Sequence, residues 1–445
     1  MKAANLDYER APPPGVVFGC LMPAPWLGAA AGLLLAFGSV DGLPDRFAPL
    51  ALAAVHVLAL GMLLPVMLGA LFQMMPVVAG VTVPGAGWMA PLVALSGGGS
   101  ALALSAGFLG GSAAAFRWAA LLGAPFLVLA GLLLLGAGRR VAAVDATTRT
   151  LAWIGAPLLL TALCGGVLAG LFGGLWPASP APLLALHIAW GLGGWLAALV
   201  TGVATTVLPM FWQTSRLPAR LERWLPLAHW VPLLAFTVAV VAWPRSTALS
   251  QWTLLPWLVV AAVVAGFGLA GTLKAKRRHD PVWPLWPVAC ASMLAAALLA
   301  AAMPFVPDSR APLAWWIGSL ALIGGGVLPV TAMLGKIVPF LVWLHLRKLL
   351  PPRARVPAMQ AIIAPGRQRR QAMLLLAAYL MLLALPVAPA WLAPAGGLAF
   401  AAANLWLGVQ LLTALRCMRR MRAQGGLPPR VPRPATLPVE GGRDG

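Results

Sequence analysis

The chain has few charged residues for its length. Only 9% of its 445 residues are Asp, Glu, Lys or Arg, whereas 61% are hydrophobic. A soluble globular domain carries about 25% charged residues. The composition therefore excludes a soluble protein and predicts an integral membrane protein.

Acidic residues are absent from the middle of every apolar run. All ten lie in tails, in loops or at the ends of runs: Asp7, Glu9, Asp41, Asp45, Asp145, Glu222, Asp280, Asp308, Glu440 and Asp444. Cation-coupled carriers usually place a carboxylate at mid-membrane, and hydrolytic acid–base catalysis needs a carboxylate pair. We therefore expect neither class of protein.

Familiar motifs of nucleotide and metal chemistry are also missing. The chain has no Walker motif, no dinucleotide-binding glycine fingerprint, no HExxH and no CxxCH. Its four cysteines form no CxxC pair, and Cys20, Cys164 and Cys290 fall in the first, fifth and ninth apolar runs. We expect them to be small buried residues.

The chain does contain a succession of long apolar runs. A membrane span needs roughly 20 apolar residues. We count twelve runs, at about 17–39, 48–75, 86–109, 114–137, 151–176, 182–212, 223–243, 251–273, 283–306, 312–345, 371–390 and 393–415. This predicts an all-α polytopic membrane protein with about 12 transmembrane helices. Helices 2, 6 and 10 exceed what a bilayer requires, so they should tilt or project from it.

The basic residues predict the orientation. The net charge is +21, and 26 of the 31 Lys and Arg fall in the two tails and in the loops on the same side. Four fall in the loops on the other side, and Lys336 falls within helix 10. By the positive-inside rule both termini are expected in the cytoplasm of a bacterial-type inner membrane. The basic loops should contact anionic lipid of the bilayer, and we do not expect nucleic-acid binding.

Helices 2, 6 and 10 share one sequence pattern. Each opens with Ala-Pro-Leu, and the first two continue with His56 or His187 and end in Gly-x6-Pro. The third ends at Pro339 and has Trp315 and Trp316 where a histidine is expected. We predict three four-helix units (about 17–140, 150–275 and 283–415) around a pseudo-threefold axis, within a membrane domain 17–415. A cytoplasmic tail 1–16 precedes it, and a basic, Pro/Gly-rich tail 416–445 follows it.

His56 and His187 are the main candidate site residues. Both should lie roughly 8–12 Å below the outer surface, on equivalent helices, at a rise of ~1.5 Å per residue. An ionisable residue inside a membrane indicates function, and imidazole is a common ligand of haem iron, copper and zinc. The alternative is that each histidine is neutral and hydrogen-bonded across helices.

A weaker metal cluster is possible at the inner ends of the long helices. Its candidates are Met74, Met75, Met210, Met333 and His345. Thioethers suit Cu(I), but methionine is also ordinary core material, and His345 is expected at the membrane interface. Lys336 should either snorkel toward the cytoplasm or line a polar path.

Twelve spans with both ends inside, and histidines near the outer ends of helices 2 and 6, resemble the haem–copper oxidase subunit I superfamily. The segments HVLALGMLLPVMLGALFQMMPVVAG and MLGKIVPFLVWLHL look most like the divergent NnrS-type proteins. In that superfamily a helix 2 histidine binds haem as an axial ligand and a helix 6 histidine binds copper. The resemblance implies these roles for His56 and His187.

The chain departs from that family pattern in ways that change the expected function. The histidine pairs of helices 7 and 10 are missing, His229 stands alone, and no tyrosine follows His187 in HIAW. The resemblance therefore implies haem b or copper, or a fold that has lost its cofactors, and not a full terminal oxidase. An accessory or sensor role in respiratory or nitric-oxide metabolism would follow.

Two other classes of function stay open. One is a transporter or cofactor-assembly protein that moves copper or a small solute. The other is a cofactor-free structural partner of respiratory-chain subunits.

Overall fold

A computed structural model describes residues 7–177, 179–306 and 310–427. Twelve helices in these ranges are long and apolar enough to cross a membrane. They are α1 (Pro14–Phe37), α2 (Pro49–Val78), α3 (Ala86–Gly110), α4 (Ala113–Gly138), α5 (Ala146–Phe172), α6 (Pro180–Trp212), α7 (Ala219–Ala242), α8 (Leu249–Leu273), α9 (Leu285–Phe305), α10 (Ala311–Leu349), α11 (Pro365–Val387) and α12 (Pro389–Gln424). The structure is 81% helical and has no strand in the described ranges, so the predicted all-α membrane fold is confirmed.

The ends of the helices differ from the predicted runs where the sequence turns basic. Helix α12 continues to Gln424, nine residues past the predicted end at 415. Its final turns carry arginines, but Met418 and Met421 remain buried on one face. A hydrophobic run marks only the part of a helix that lies in lipid. The tertiary contacts of its inner face keep the polar extension helical. Residues 428–445 of the predicted tail lie outside the described ranges.

Helices α2, α6 and α10 approach one another inside the bundle, and each has a widened turn there. Helices α2, α6 and α10 each contain a π-helical segment, at Val57–Leu63, Ala189–Ala197 and Leu320–Val327. A side-chain carbon added at Gly326 would lie 3.2 Å from Leu63 of α2 and 3.2 Å from Leu196 of α6. Helix α4 also contains a π-helical segment, at Ala119–Gly123, so these segments are not confined to the three helices and their predicted equivalence stays a prediction. The unit boundaries stay a prediction.

The glycine of each Gly-x6-Pro segment lies where two helices pack closely together. A β-carbon at Gly69 would lie 2.8 Å from Cys20 of α1, and one at Gly202 would lie 2.3 Å from Thr150 of α5. Each glycine therefore allows an even-numbered helix to pack closely against the helix before it. Thr147 of α5 adds a 2.8 Å hydrogen bond to the Gly202 carbonyl oxygen.

The first and last helices pack together and close the bundle. Helix α1 crosses α12 at Gly32, where a β-carbon would lie 2.6 Å from the Ala401 nitrogen and 2.6 Å from the Gly397 oxygen. Both neighbours are backbone atoms, which cannot rotate away. We call the membrane face that carries Tyr8 the N-terminal side, and the other face the opposite side.

We expect Gly32→Ala to lower the thermal unfolding temperature in detergent, because overpacking a tight contact costs about 1–3 kcal/mol. Gly266→Ala in α8 is the matched control, since nothing lies within 4 Å of its added carbon. That control should be neutral or slightly stabilising through the better helix propensity of alanine. Equal unfolding temperatures for the two variants would contradict the close crossing of α1 and α12.

Candidate metal centre in the membrane

The fold brings His56 of α2 and His187 of α6 together. Each histidine lies seven residues after the first residue of its helix, Pro49 or Pro180. This places both imidazoles about 10 Å along their helices from the opposite side. The ring centroids are 6.4 Å apart and the ring planes differ by 8°.

Backbone carbonyls hold both rings through the same nitrogen. His56 Nδ1 lies 2.7 Å from the Leu52 oxygen, and His187 Nδ1 lies 3.1 Å from the Thr161 oxygen in α5. A carbonyl oxygen only accepts, so each Nδ1 carries the proton and each Nε2 presents a lone pair. Neither Nε2 has a hydrogen-bond partner among the described residues. Histidines that bind metals commonly have this arrangement, with one nitrogen anchored and the other free.

The spacing of the two rings fits a shared metal. Rings in direct face contact would lie about 3.5–4 Å apart. Two imidazoles that bind one ion from opposite sides have centroids about 6 Å apart, because each metal–nitrogen bond is ~2.0 Å and each nitrogen lies roughly 1 Å from its ring centre. The observed 6.4 Å is close to that value and also lies within the ~4.5–7 Å range of ordinary aromatic ring pairs, so the distance permits a shared ion and does not by itself indicate one.

Each of the two rings has an apolar neighbour from an adjacent helix. The Phe108 ring of α3 lies 5.2 Å from His56, and Phe116 of α4 packs edge-on against Phe108 at 5.1 Å. On the other side, α5 approaches His187 at Gly165, where a β-carbon would lie 2.9 Å from the ring carbon Cε1. These aromatic and glycine contacts were not predicted from the sequence, because neither residue type marks a site by itself.

The donor set restricts the metals that the site can hold. No group of three or more His, Cys, Asp or Glu side chains converges anywhere in residues 7–177, 179–306 and 310–427. Structural zinc sites use four protein ligands, and catalytic ones use three. Two neutral imidazoles instead suit the axial positions of a haem iron, or a copper ion of low coordination number.

No family model matches this chain, and no curated protein matches its sequence.

Helix α10 contributes no imidazole to the candidate metal centre. The position just before the π-helical segment of α10 is Ser319. Trp315 and Trp316 instead donate their indole N–H groups to the Leu382 and Leu383 carbonyl oxygens of α11, at 2.8 and 2.9 Å. Their large side chains therefore attach α10 to α11 and take no part in the histidine pair.

The residues of the weaker candidate metal cluster differ in how far they are buried. Met75 is fully buried, whereas 42% of the Met210 side chain is exposed. Met74 and Met333 are partly buried against the core. His345 is 4% exposed and is buried within the protein, and its depth at the membrane interface stays a prediction. The structure gives no support to a copper site built from all of these groups.

Lys336 has a specific partner that the sequence did not identify. Its ammonium group donates to the carboxylate of Asp280, which lies in the loop between α8 and α9 on the N-terminal side. The same nitrogen lies 6.0 Å from the centre of the Trp212 ring. Lys336 therefore extends toward the loops, as expected for snorkelling, and ends in an ion pair.

Proposed function

We propose that this chain is a bacterial inner-membrane protein that holds a b-type haem or a copper ion between His56 and His187, with both termini in the cytoplasm. The observation that carries the proposal is the pair of parallel imidazoles 6.4 Å apart, each anchored at Nδ1 and free at Nε2. The resemblance to the haem–copper oxidase subunit I superfamily, which itself rests in part on these two histidines, implies the same roles for them.

An accessory or sensor role in respiratory or nitric-oxide metabolism agrees best with this donor set. A bound haem or copper would supply one-electron chemistry. The protein's own part is to hold the two rings through the Leu52 and Thr161 carbonyls and to place the apolar Phe108 ring beside His56. A full terminal oxidase needs more imidazoles than the pair offers. Association with respiratory-chain subunits belongs to the same proposal.

Absorption spectra and metal analysis of the purified protein test the proposal. We expect a dithionite-reduced α-band with iron near one per chain, or, for a copper protein, copper near one per chain. His56→Ala and His187→Ala should each remove the signal, because one remaining imidazole binds far more weakly. His279→Ala changes an exposed histidine in the loop between α8 and α9 and should leave the signal unchanged.

The outcomes separate the two cofactors and can overturn the site. Iron with an α-band that both variants remove assigns haem, and copper that both variants remove assigns copper. A signal that survives both variants would place the cofactor elsewhere. Absence of iron and copper in well-folded protein from a haem- and copper-sufficient host would overturn the proposal and favour a carrier or a structural partner.

A further inference from the structure

Two neighbouring helices present three arginines together on the N-terminal side. Helices α5 and α7 both begin on this side, and Ala146 of α5 lies in one buried apolar cluster with Leu225 of α7. Arg149 of α5 and both Arg220 and Arg223 of α7 lie within roughly 6 Å of the start of their helices, at a rise of ~1.5 Å per residue. The three guanidinium groups therefore lie at similar depths in the membrane.

The backbone of α7 helps to hold the Arg149 side chain in place. Its Nη1 donates to the Arg223 carbonyl oxygen at 3.0 Å, and its Nη2 donates to the Val144 carbonyl oxygen at 3.4 Å. A guanidinium group has five N–H donors in one plane, so donors remain on Arg149 for a further acceptor. Arg149 is partly buried, whereas Arg220 and Arg223 are exposed. One positioned guanidinium group thus lies beside two that solvent and lipid can reach.

These arginines have no carboxylate partner within the chain. None of them forms an ion pair among the described residues. Asp145 accepts hydrogen bonds from the backbone N–H and the hydroxyl of Thr148 and so caps α5. Glu222 comes two residues before Trp224, which places it roughly 160° around α7, on the side of the buried Leu225. The three guanidinium groups are therefore open to an anion from outside the protein.

An exposed tryptophan follows the arginines on each helix. Trp153 comes four residues after Arg149, and Trp224 comes four residues after Arg220, so each indole lies about one turn deeper on the same helix face. Trp153 is 56% exposed and Trp224 is 58% exposed. Tryptophan is enriched at the membrane–water interface. Its position here indicates that the arginines lie at the level of the lipid head groups.

A continuous apolar stripe runs along α7 from Trp224 toward the opposite side. Its members recur at intervals of three and four residues, which keeps them on one helix face, and each is more than half exposed: Leu227, Val231, Leu234, Val238 and Val241. The stripe is roughly 26 Å long. One leaflet of the hydrocarbon core is roughly 15 Å thick. A lipid chain whose head group lies at the arginines can therefore follow the stripe over its whole length.

We propose that α5 and α7 form a binding site for one anionic phospholipid on the N-terminal side. Its phosphate binds Arg149, Arg220 and Arg223, and one acyl chain lies along the α7 stripe. Guanidinium groups bind phosphate oxygens through paired, charge-assisted hydrogen bonds. This is a defined site, beyond the general attraction of basic loops to anionic lipid. It lies across the membrane from His56 and does not rest on the proposed cofactor.

Lipid titration of the full-length protein, read by native mass spectrometry, tests the site. Delipidated protein in detergent is titrated with phosphatidylglycerol or with phosphatidylcholine of the same acyl chains. The two lipids differ in net charge, because choline adds a cation beside the phosphate. We expect the first phosphatidylglycerol to bind about tenfold more tightly than the first phosphatidylcholine, since several arginines contribute to its binding.

Single arginine variants locate the site. Arg149→Gln and Arg223→Gln should each weaken binding of the first phosphatidylglycerol about fivefold and leave phosphatidylcholine binding unchanged. Arg220→Gln should act in the same way, and it leaves the hydrogen bonds between α5 and α7 intact. Arg140→Gln is the matched control, because this exposed arginine follows α4 on the same side and no tryptophan lies one turn deeper in α4. Thermal unfolding of each variant shows whether it is folded.

Three results would overturn the proposal. Equal affinity for the two lipids would remove the anionic head group from the site. An equal loss of affinity in Arg140→Gln and Arg149→Gln would show a diffuse attraction to the whole basic face. Displacement of phosphatidylglycerol by soluble glycerol 3-phosphate would show that an anion suffices and that the acyl chain is not bound.

Discussion

Replacing Gly165 with leucine is expected to abolish cofactor binding although both histidines remain. A β-carbon at this position would already lie 2.9 Å from Cε1 and 3.2 Å from Nδ1 of His187. The bulk would push the ring away from α5 and break its hydrogen bond to the Thr161 oxygen. Because two imidazoles must meet one metal, losing the position of one should remove the α-band or the bound copper as completely as His187→Ala does.

A graded series makes this prediction specific. Gly165→Ala should weaken binding less than Gly165→Leu, since a methyl group displaces the ring by less. Gly266→Leu, where nothing lies within 4 Å of the added carbon, should retain the full cofactor signal. Thermal unfolding of each variant shows whether it is folded. Full occupancy in folded Gly165→Leu protein would mean that His187 is not a ligand in the position described.

Replacing Asp280 with alanine is expected to destabilise the protein by about 1–3 kcal/mol, because the pair is partly buried and lies between the ~0–1 kcal/mol of an exposed ion pair and the ~3–5 kcal/mol of a fully buried one. Lys336 is 19% exposed and Asp280 16%, so water screens the pair only in part. Without the carboxylate, the ammonium group beside Trp212 is left charged in a largely apolar setting. Thermal unfolding in detergent should show a clearly lower midpoint.

A second substitution distinguishes an uncompensated charge from a loss of packing. Lys336→Met in the Asp280→Ala background should recover much of the lost stability, because it removes the orphaned charge and keeps an apolar side chain. Asp7→Ala breaks an exposed pair with Arg10 and should have little effect. If the double variant is no more stable than Asp280→Ala, the ion pair is not the source of the destabilisation.

The twelve membrane-spanning helices could be predicted because each depends on the apolar residues of its own segment. A run of about 20 apolar residues crosses a bilayer whatever its neighbours are. The errors concern helix ends, as at Gln424, where packing rather than lipid keeps the chain helical. The π-helical turns were not predicted from the sequence. One of them contains Gly326, where an added β-carbon would lie 3.2 Å from Leu63 and 3.2 Å from Leu196 on the neighbouring helices.

For the candidate metal centre, the sequence predicted only the depth of the two histidines along their helices. Residue counting from the helix starts gives the depth of His56 and His187, because each residue adds ~1.5 Å along a helix. Counting could not give the 8° angle between the rings or the Leu52 and Thr161 anchors. It likewise gave no sign that Gly165 leaves the space that the His187 ring occupies.

The sequence by itself determined the membrane class, the number of helices and the matching depth of two histidines. Those features depend on composition and on rise along a helix. The tertiary structure alone decided that the two rings lie nearly parallel with centroids 6.4 Å apart, that Lys336 meets Asp280, and that Arg149 of α5 donates to the backbone of α7. The physical reason is that rotation of a helix about its axis, and the choice of its neighbours, are set by packing between residues far apart in the chain.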